Sequence, residues 1–335
     1  KEIIKACKAA GLRVILYRSR ELSNASPFWN DFSASSLTIP SSYGFKRTYP
    51  LKQTSYGYCP ASQLSDYFLW SADFLLKEYG VDGFYLDGAA NDLLCSNSAH
   101  GCGENGKATF GIRANRAMMK RLWKLFSQHQ REPLIDAHGF SPFAIGFLTS
   151  GYAGEQFWKM RRFDAAPHKI IPPHLMRPLF DSVQNKGIRT MMLFYDGCPF
   201  TPEEASAMAL VNGIMPRPHS VEQLPGMQAL KTVAPIWAAM RQFNTDGGKW
   251  HLWSEENRFR MLVRPQLPGG NEQIKLSVVE QSDRNLYFLA NYGIFAVSAS
   301  ISDPERKVIA DAVDLLSGNP VAHDPSVPRV DAVVP

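Results

Sequence analysis

Four acidic residues each follow an apolar run that is typical of a buried β-strand: Asp87 in "VDGFYLDGAA", Asp136 in "PLIDAHG", Glu155 in "GYAGEQFW" and Asp196 in "IRTMMLFYDG". Carboxylates that meet at strand ends raise the pKa of one member and leave another ionised. Such a pair is what glycoside hydrolysis requires. Asp-Gly is also a common turn signal, so Asp87 and Asp196 have a structural interpretation as well. Acids after several successive strands favour the catalytic interpretation.

Further candidate residues lie near these acids in the sequence. His138 has three possible roles: a hydrogen-bond donor to the substrate, a proton carrier, or a core histidine whose hydrogen bonds are satisfied within the protein. Flat aromatic rings in loops suit stacking on sugar faces. The basic stretch from Lys159 to Arg162 suits either an anionic substrate or a solvated face. The predicted substrate contacts are His138, Asp196, His100, Tyr85, Trp158, Trp29 and Arg161.

The five cysteines do not predict a disulfide scaffold, because their number is odd and their spacing is sparse. Cys95 and Cys102 bracket the loop "CSNSAHGC", which predicts a disulfide in an oxidising compartment or two free thiols. Zinc is a third interpretation that includes His100, but two sulfurs and one histidine lack a fourth ligand. We therefore predict no metal and no cofactor. We expect a secreted or periplasmic bacterial protein.

Strands and amphipathic helices alternate from Lys1 to about Pro216, which is typical of a parallel sheet covered by helices. Helices are predicted from Ala61 to Tyr79, from about Thr109 to His129, from His174 to Lys186 and from a capping box at Thr201. Strands are predicted near Leu12, Phe84, Leu134, Gly146, Arg189 and Val211. A (β/α)8 TIM-type barrel needs eight strands, so we expect two more upstream. An open doubly wound sheet is the alternative, but no glycine-rich phosphate loop follows the first strand.

The hydrophobic period changes after about Gly248. Four segments alternate apolar and polar residues: "NRFRMLVRP", "IKLSVVEQ", "NLYFLANYG" and "FAVSASISD". This pattern predicts an antiparallel β-sandwich. The predicted domains are a catalytic barrel over residues 1–247, incomplete at its N-terminus, an accessory sandwich over 248–322 and a tail over 323–335. A long loop is predicted from Ser19 to about Cys59.

Composition argues against several classes of protein. The chain has 335 residues, 45% of them hydrophobic, and a net charge of +5 without any long run of Lys and Arg. This argues against a nucleic-acid binder. No apolar run approaches the length of about 20 residues that spans a bilayer, so no membrane partner is expected. A carbohydrate, anionic if the basic stretch contributes, is the expected partner, and the oligomeric state stays open.

The segment "GVDGFYLDG" resembles the fourth-strand motif of retaining (β/α)8 glycoside hydrolases. Together with "CSNSAHGC", "LIDAHG" and "GYAGEQFW", in this order over roughly residues 61–196, it is similar to bacterial barrels related to glycoside hydrolase family 123. The resemblance implies Asp87 as nucleophile, Glu155 as acid/base, and Asp136 and His138 as support. Family 123 itself uses an adjacent Asp-Glu pair for attack by the substrate's acetamido group. No such pair follows this strand, so the resemblance does not imply N-acetylhexosamine specificity.

The resulting hypothesis is a glycoside hydrolase that cleaves an oligo- or polysaccharide with two carboxylates and retention of configuration. Glu155, or alternatively Asp136, protonates the leaving oxygen while Asp87 attacks the anomeric carbon. A separation of about 5 Å between the carboxyl groups supports retention, and about 6.5–9.5 Å supports inversion.

Two other functions remain as alternatives. A polysaccharide lyase would replace the carboxylate pair by a Tyr195 or His138 base and by the cations of Arg161 and Arg162. A noncatalytic carbohydrate-binding barrel would keep the aromatic residues and tolerate the loss of Asp87. The fold alone does not separate these functions.

Overall fold

The computed structural model describes residues 1–40, 44–47, 53–103, 107–153, 189–194, 201–218, 224–255, 258–264, 273–292, 297–305, 321, 323–324 and 329–334. The helices in these ranges are α1 Glu2–Ala9, α2 Trp29–Ser36, α3 Leu64–Phe74, α4 Ile112–Gln128, α5 Pro202–Val211 and α6 Leu224–Phe243. The strands are β1 Ile15–Ser19, β2 Glu21–Ser23, β3 Gly44–Arg47, β4 Gln53–Gly57, β5 Gly83–Ala90, β6 Leu94–Cys95, β7 Thr109–Phe110, β8 Ile135–Phe140, β9 Ser150–Ala153, β10 Arg189–Phe194, β11 Met215–Pro218, β12 Lys249–His251, β13 Arg260–Arg264, β14 Ile274–Glu280, β15 Asn285–Asn291, β16 Val297–Ser302, β17 His323–Asp324 and β18 Arg329–Val334. Among the described helices, none combines the length and the apolar character needed to cross a membrane.

The first of two compact units comprises residues 1–152 and 187–189. Its centre is a parallel sheet in the order β1-β5-β8-β9. One face of this sheet is apolar, and its fully buried side chains in β5 and β8 include Phe84, Leu86, Ile135 and Ala137. These side chains share a core with α3 and α4, which contribute Phe68, Leu69, Ala72, Met118, Leu122 and Phe126. Because side chains alternate along a strand, the opposite face carries Tyr85, Asp87, Asp136 and His138.

The predicted helices of this unit are confirmed. The helix expected from Ala61 to Tyr79 is α3, continued by a π-helical turn at Leu75–Tyr79, and it ends at Gly80 in the left-handed conformation. The helix expected from about Thr109 to His129 is α4.

The prediction of a long loop from Ser19 to about Cys59 is wrong for the residues of this segment that the structure describes. This segment contains α2 and a small antiparallel sheet in the order β2-β4-β3. Its strands have three to five residues. Strands this short contain too few alternations for a period of two to stand out in the sequence.

The second unit comprises residues 153–186 and 190–335. In it, β10 pairs in parallel with β11. Helix α5 begins with the predicted capping box, in which Thr201 Oγ1 accepts from the Glu204 amide and the Glu204 carboxylate accepts from the Thr201 amide. Helices α5 and α6 share an apolar cluster with the strands, composed of Met192, Ala205, Met208, Ala209, Ile214, Ala229 and Val233.

Each of the six predicted parallel strands has a counterpart, in β1, β5, β8, β9, β10 and β11. Two counterparts begin later than expected. The strand predicted near Gly146 is β9, because a 3-10 helix occupies Pro142–Phe147. The strand predicted near Val211 is β11, because α5 continues to Val211. The helix predicted from His174 to Lys186 lies outside the described residues.

After residue 248 the chain forms two antiparallel sheets, in the orders β12-β14-β15 and β13-β16-β18-β17. The four predicted alternating segments are confirmed as β13, β14, β15 and β16. Side chains from both sheets share two apolar clusters. One consists of Val263, Ile274, Val297 and Ala299, and the other of Phe259, Leu276, Val278 and Ile301.

The tail predicted over residues 323–335 is wrong for the part that the structure describes. Strand β18 pairs antiparallel with both β16 and β17. Val330 is buried, and the carboxylate of Asp331 accepts a hydrogen bond from Ser300 Oγ on β16. The alternation of "RVDAV" is too short to outweigh the prolines on either side, and pairing with β16 stabilises the strand.

Candidate active site

Strand β5 carries Asp87 near the carboxyl end of the parallel sheet. The strand register places Asp87 beside Ser19 of β1 and His138 of β8. Gly88 has a φ of +65°, a left-handed conformation that glycine adopts without steric strain. The pairing of β5 with β8 is irregular between Asp87 and Ala90. Irregularities of this kind bend a strand and re-aim its side chains, here directly after the acid.

Asp87 interacts with donors from both neighbouring strands. The Tyr17 hydroxyl donates to Asp87 Oδ2 over 2.6 Å, and His138 Nδ1 lies 3.3 Å from Asp87 Oδ1. The hydrogen bond from His138 lowers the pKa of Asp87; burial opposes this effect, and the Tyr17 hydroxyl lowers the pKa further. The Asp87 side chain is nevertheless 38% exposed. It is therefore ionised at neutral pH and accessible to a ligand.

Asp136 lies deeper in the same face of the sheet. It is 3% exposed and accepts a hydrogen bond of 2.9 Å from Ser150 Oγ on β9. The strand register places it beside Tyr85. A proton donor must reach the glycosidic oxygen of its substrate, and a carboxyl this buried is poorly placed to do so. The geometry favours Asp136 as a positioning residue over the alternative role of proton donor.

Glu21 of β2 is a second carboxyl, and the negative charge of Asp87 acts on it. Burial raises the pKa of Glu21, the negative charge of Asp87 raises it further, and a hydrogen bond with Ser55 opposes both effects. One acid is thus held ionised while its neighbour keeps a proton to higher pH, as in acid/base pairs of enzymes.

Two residues that shape this site, Tyr17 and Glu21, are absent from the predicted site. Tyr17 closes the apolar run "LRVILY", but nothing in that run indicates its hydrogen bond to Asp87. Glu21 belongs to a strand of three residues, so its sequence context carries no signal either.

Tyr85 and Trp29, two predicted substrate contacts, take part in aromatic packing. The Tyr85 ring meets the Tyr17 ring edge to face, with 5.3 Å between centroids, and so borders the Asp87 site. Trp29 begins α2, lies 5.4 Å from the Tyr56 ring and packs against the core of the first unit. Contact of either residue with a substrate stays a prediction.

The contacts of His100 lie among cysteines. His100 Nε2 is 3.3 Å from Cys95 Sγ, and His100 Nδ1 is 2.8 Å from the Ser35 carbonyl oxygen. Cys59, Cys95, His100 and Cys102 together form the cysteine cluster. Its three cysteines are free thiols, so of the two alternatives for Cys95 and Cys102 the structure has free thiols and not a disulfide. Both ring nitrogens of His100 are therefore engaged within the protein, and its contact with a substrate stays a prediction.

Several predicted site residues lie outside the described residues. These are Glu155, Asp196, Trp158 and Arg161, together with Tyr195 and Arg162 of the lyase alternative. Their roles stay predictions. Within the described part of the chain, the candidate site consists of Asp87 with Tyr17, His138 and Tyr85, supported by Asp136 and adjoined by Glu21.

No protein-family model and no curated protein sequence matches the chain. Among solved structures, it is similar to a noncanonic maltogenic alpha-amylase from Thermotoga neapolitana, with a TM-score of 0.65 and 11% identity over 99% of this chain and 78% of that chain. It is similar to an alpha-amylase from Geobacillus thermoleovorans, with a TM-score of 0.57 and 11% identity over 99% and 77%. It is also similar to an alpha-N-acetylgalactosaminidase from Bifidobacterium bifidum, with a TM-score of 0.53 and 15% identity. That match covers 90% of this chain and 42% of that chain. The chain thus shares the α/β fold of TIM-barrel glycoside hydrolases.

Proposed function

We propose that this protein is a glycoside hydrolase in which Asp87 is the catalytic carboxylate. The observation that carries the proposal is the state of Asp87: it is ionised, 38% exposed and held by Tyr17 and His138 at the carboxyl end of a parallel strand. In TIM-barrel enzymes this end of the strands holds the active site. The fold shared with amylases supports the same assignment.

The proposed mechanism retains the configuration of the sugar. Asp87 Oδ attacks the anomeric carbon as the bond to the leaving oxygen breaks, and a carboxylic acid donates its proton to that oxygen. Water then displaces Asp87 and returns a proton to the same acid. Tyr17 and His138 orient the nucleophile by donating to its oxygens.

Two residues compete for the role of the acid. The family resemblance favours Glu155, whereas the raised pKa of Glu21 supports Glu21 among the described residues. Glu155→Gln and Glu21→Gln separate them on two substrates. The variant that lacks the acid keeps turnover on an aryl glycoside with a good leaving group, which needs little protonation, and loses it on an alkyl glycoside. Equal losses on both substrates would argue against an acid role.

The proposed substrate is an α-linked oligo- or polysaccharide. The similar structures include two alpha-amylases, one of them maltogenic, and an alpha-N-acetylgalactosaminidase. An α-glucan is the first substrate to test, because the two amylases cover nearly the whole chain. Anionic polysaccharides follow, because of the predicted basic stretch.

We further propose that the parallel strands belong to a closed eight-stranded barrel and that the antiparallel sheets form an accessory sandwich. The sandwich extends beyond the predicted bounds of 248–322, because β17 and β18 belong to one of its sheets. Strand β1 is the terminal strand of the described sheet, which supports pairing of its other edge with a further strand. The apolar clusters shared by the two antiparallel sheets support the sandwich.

Azide rescue of Asp87→Ala tests the proposed nucleophile. Removal of the carboxylate is expected to abolish turnover of an aryl α-glycoside, and azide is expected to restore it by attacking the open anomeric carbon. The product would be a glycosyl azide of inverted configuration, identified by NMR. Unchanged turnover in Asp87→Ala would refute the proposal. An unsaturated product with ultraviolet absorbance would favour the lyase. If the parent protein binds carbohydrate but shows no turnover, the noncatalytic barrel would be favoured.

A further inference from the structure

The cysteine cluster unites residues that are distant in the sequence. Cys59 follows strand β4 in the connection between β1 and α3, whereas Cys95, His100 and Cys102 belong to the connection between β5 and α4. One potential ligand atom from each of the four residues lies within 4.8 Å of every other. Cys59 and Cys95 have no exposed surface, and Cys102 is 8% exposed. Cys59 is thus the fourth ligand that the loop sequence alone does not contain.

We propose that Cys59, Cys95, His100 and Cys102 form a structural zinc site. Bond lengths of about 2.3 Å to sulfur and about 2.0–2.1 Å to nitrogen place tetrahedral ligands about 3.8 Å apart for two sulfurs and about 3.6 Å apart for sulfur and nitrogen. Cys59 Sγ and Cys102 Sγ are 3.7 Å apart, and Cys95 Sγ and His100 Nε2 are 3.3 Å apart. Two opposite edges of the tetrahedron therefore have nearly the required length.

The histidine is already oriented for a metal. The Ser35 carbonyl oxygen can only accept a hydrogen bond, so His100 Nδ1 carries the proton that it receives over 2.8 Å. This leaves Nε2 as the nitrogen directed at the sulfurs. A ligand histidine that donates its other ring proton to a carbonyl is a general feature of zinc sites.

The loop that carries three of the ligands is shaped by its backbone. The Asn97 amide donates to Cys95 Sγ over 3.4 Å, and the Asn97 side chain donates to carbonyl oxygens of α2 and of the residue that follows it. Gly103 has a φ of +75°, and a Cβ atom there would lie 2.3 Å from the Ser96 carbonyl oxygen. The loop therefore closes tightly around Cys102. The Asn97 amide stabilises negative charge on the Cys95 sulfur.

A buried cation matches the charge of the proposed site. Three thiolates and one Zn²⁺ carry a net charge of −1. Arg20 lies beside Cys59, because its carbonyl oxygen accepts a hydrogen bond from the Tyr58 amide. Arg20 is 3% exposed, and its guanidinium donates to two neutral oxygens, Asn115 Oδ1 and the Asn91 carbonyl oxygen. Among the described residues Arg20 forms no ion pair, although the charge of Asp92 acts on it. A buried cation without a contacting anion is unfavourable. An anionic zinc site beside Cys59 offsets this.

The composition of the cluster favours a structural ion over a disulfide. A disulfide would need two sulfurs about 2.05 Å apart and would leave the third thiol and the histidine without a role. Zinc engages all four residues and leaves no open position for a substrate, as in structural sites. Bound zinc would join the connections that leave the carboxyl ends of β1 and β5, the strands of Tyr17 and Asp87.

Metal analysis of the full chain tests the site without reference to activity. The protein is purified under reducing conditions with zinc, and about one zinc ion per chain is expected by elemental mass spectrometry. Cys59→Ser and Cys102→Ser are expected to lose the ion. Cys7→Ser is the matched control, because Cys7 lies in α1 outside the cluster, and it is expected to keep the ion.

Two measurements on the unaltered chain guard against variants that fail to fold. Cobalt in place of zinc is expected to show the intense visible bands of a tetrahedral thiolate site. A chelator is expected to expose three further thiols to a thiol reagent and to lower the Tm. A reduced chain that binds neither zinc nor cobalt would overturn the proposal. So would a disulfide within the cluster that forms in the presence of zinc.

Discussion

The two ends of strand β5 carry the same dipeptide for different physical reasons. At the amino end, Asp82 Oδ2 accepts from the Val14 amide over 2.8 Å, and Asp82 Oδ1 pairs with Lys8 Nζ over 3.0 Å. At the carboxyl end, Asp87 interacts with a tyrosine hydroxyl and an imidazole and is more exposed, 38% against 21%. Asp82 joins β5 to the start of β1 and to α1. Asp87 interacts with groups that can also assist chemistry.

The glycines that follow these acids differ in the same way. A Cβ atom on Gly83 would lie 2.0 Å from the Leu134 carbonyl oxygen, so glycine is required there for close packing. A Cβ atom on Gly88 would meet nothing within 4 Å, and glycine is favoured there by its φ of +65°. In barrels the amino ends of strands contribute stability and the carboxyl ends carry activity. The comparison supports a stabilising role for Asp82 and the proposed catalytic role of Asp87.

The largest expected effect comes from Asp87→Asn. The amide keeps the shape of the side chain but cannot act as the nucleophile, so kcat/KM should fall by about 10³-fold or more, equivalent to about 4 kcal/mol of transition-state stabilisation. Asp82→Asn is the matched control and should retain activity. Turnover on the substrate of the parent and Tm are measured for both variants. Equal loss of activity in both would remove the distinction between the two ends.

Alanine at the two glycines is the next test. Gly83→Ala forces backbone apart and should lower the free energy of unfolding by about 3 kcal/mol. Gly88→Ala places alanine in the left-handed conformation and should lower the free energy of unfolding by only about 1–2 kcal/mol. It should nevertheless reduce kcat more than Gly83→Ala does, because it displaces Asp87. Urea unfolding and initial rates give both quantities. The opposite ranking of stabilities would contradict the packing argument.

Much of the fold is predictable because long elements repeat their pattern. The buried strands "GFYL" and "LIDA" and the apolar stripes of α3 and α4 place the parallel sheet and its helices. The short strands β2, β3 and β4 are not predictable from local pattern, since pairing between distant segments stabilises them. Strand β18 escapes prediction for the same reason, as β16 supplies its partner.

The candidate site is predictable only in part. Asp87 and His138 stand out because each follows an apolar strand, and the register of β5 and β8 confirms that they lie side by side. Tyr17 and Cys59 take their significance from residues far away in the sequence. A tyrosine in a strand and a cysteine after a loop are ordinary features until the fold brings them to Asp87 and to the cysteine cluster.

Tyr17→Phe tests how the carboxyl end tunes its acid. It removes the hydroxyl that donates to Asp87 Oδ2, and a hydrogen bond to a charged group contributes about 1.5–3 kcal/mol. Because Tyr17 is 61% exposed, we expect the low end of this range, about a tenfold fall in kcat/KM. The pKa of Asp87 should rise as well, which moves the acidic limb of the pH profile upward. A fall in activity without this shift would indicate a packing role.

The smallest expected effect is a pH dependence of stability at the amino end. Burial alone would raise the pKa of Asp82, but the Val14 amide and Lys8 outweigh it and lower the pKa below the ordinary value of 3.8. The stabilisation from ionised Asp82 is therefore fully present above about pH 4 and is lost as the pH falls through the folded-state pKa. The Tm difference between the parent and Asp82→Asn should stay constant from about pH 7 to about pH 5 and shrink below about pH 4. Differential scanning fluorimetry at matched ionic strength measures it, and a difference that persists at the acidic end would show that Asp82 acts through its shape and not its charge.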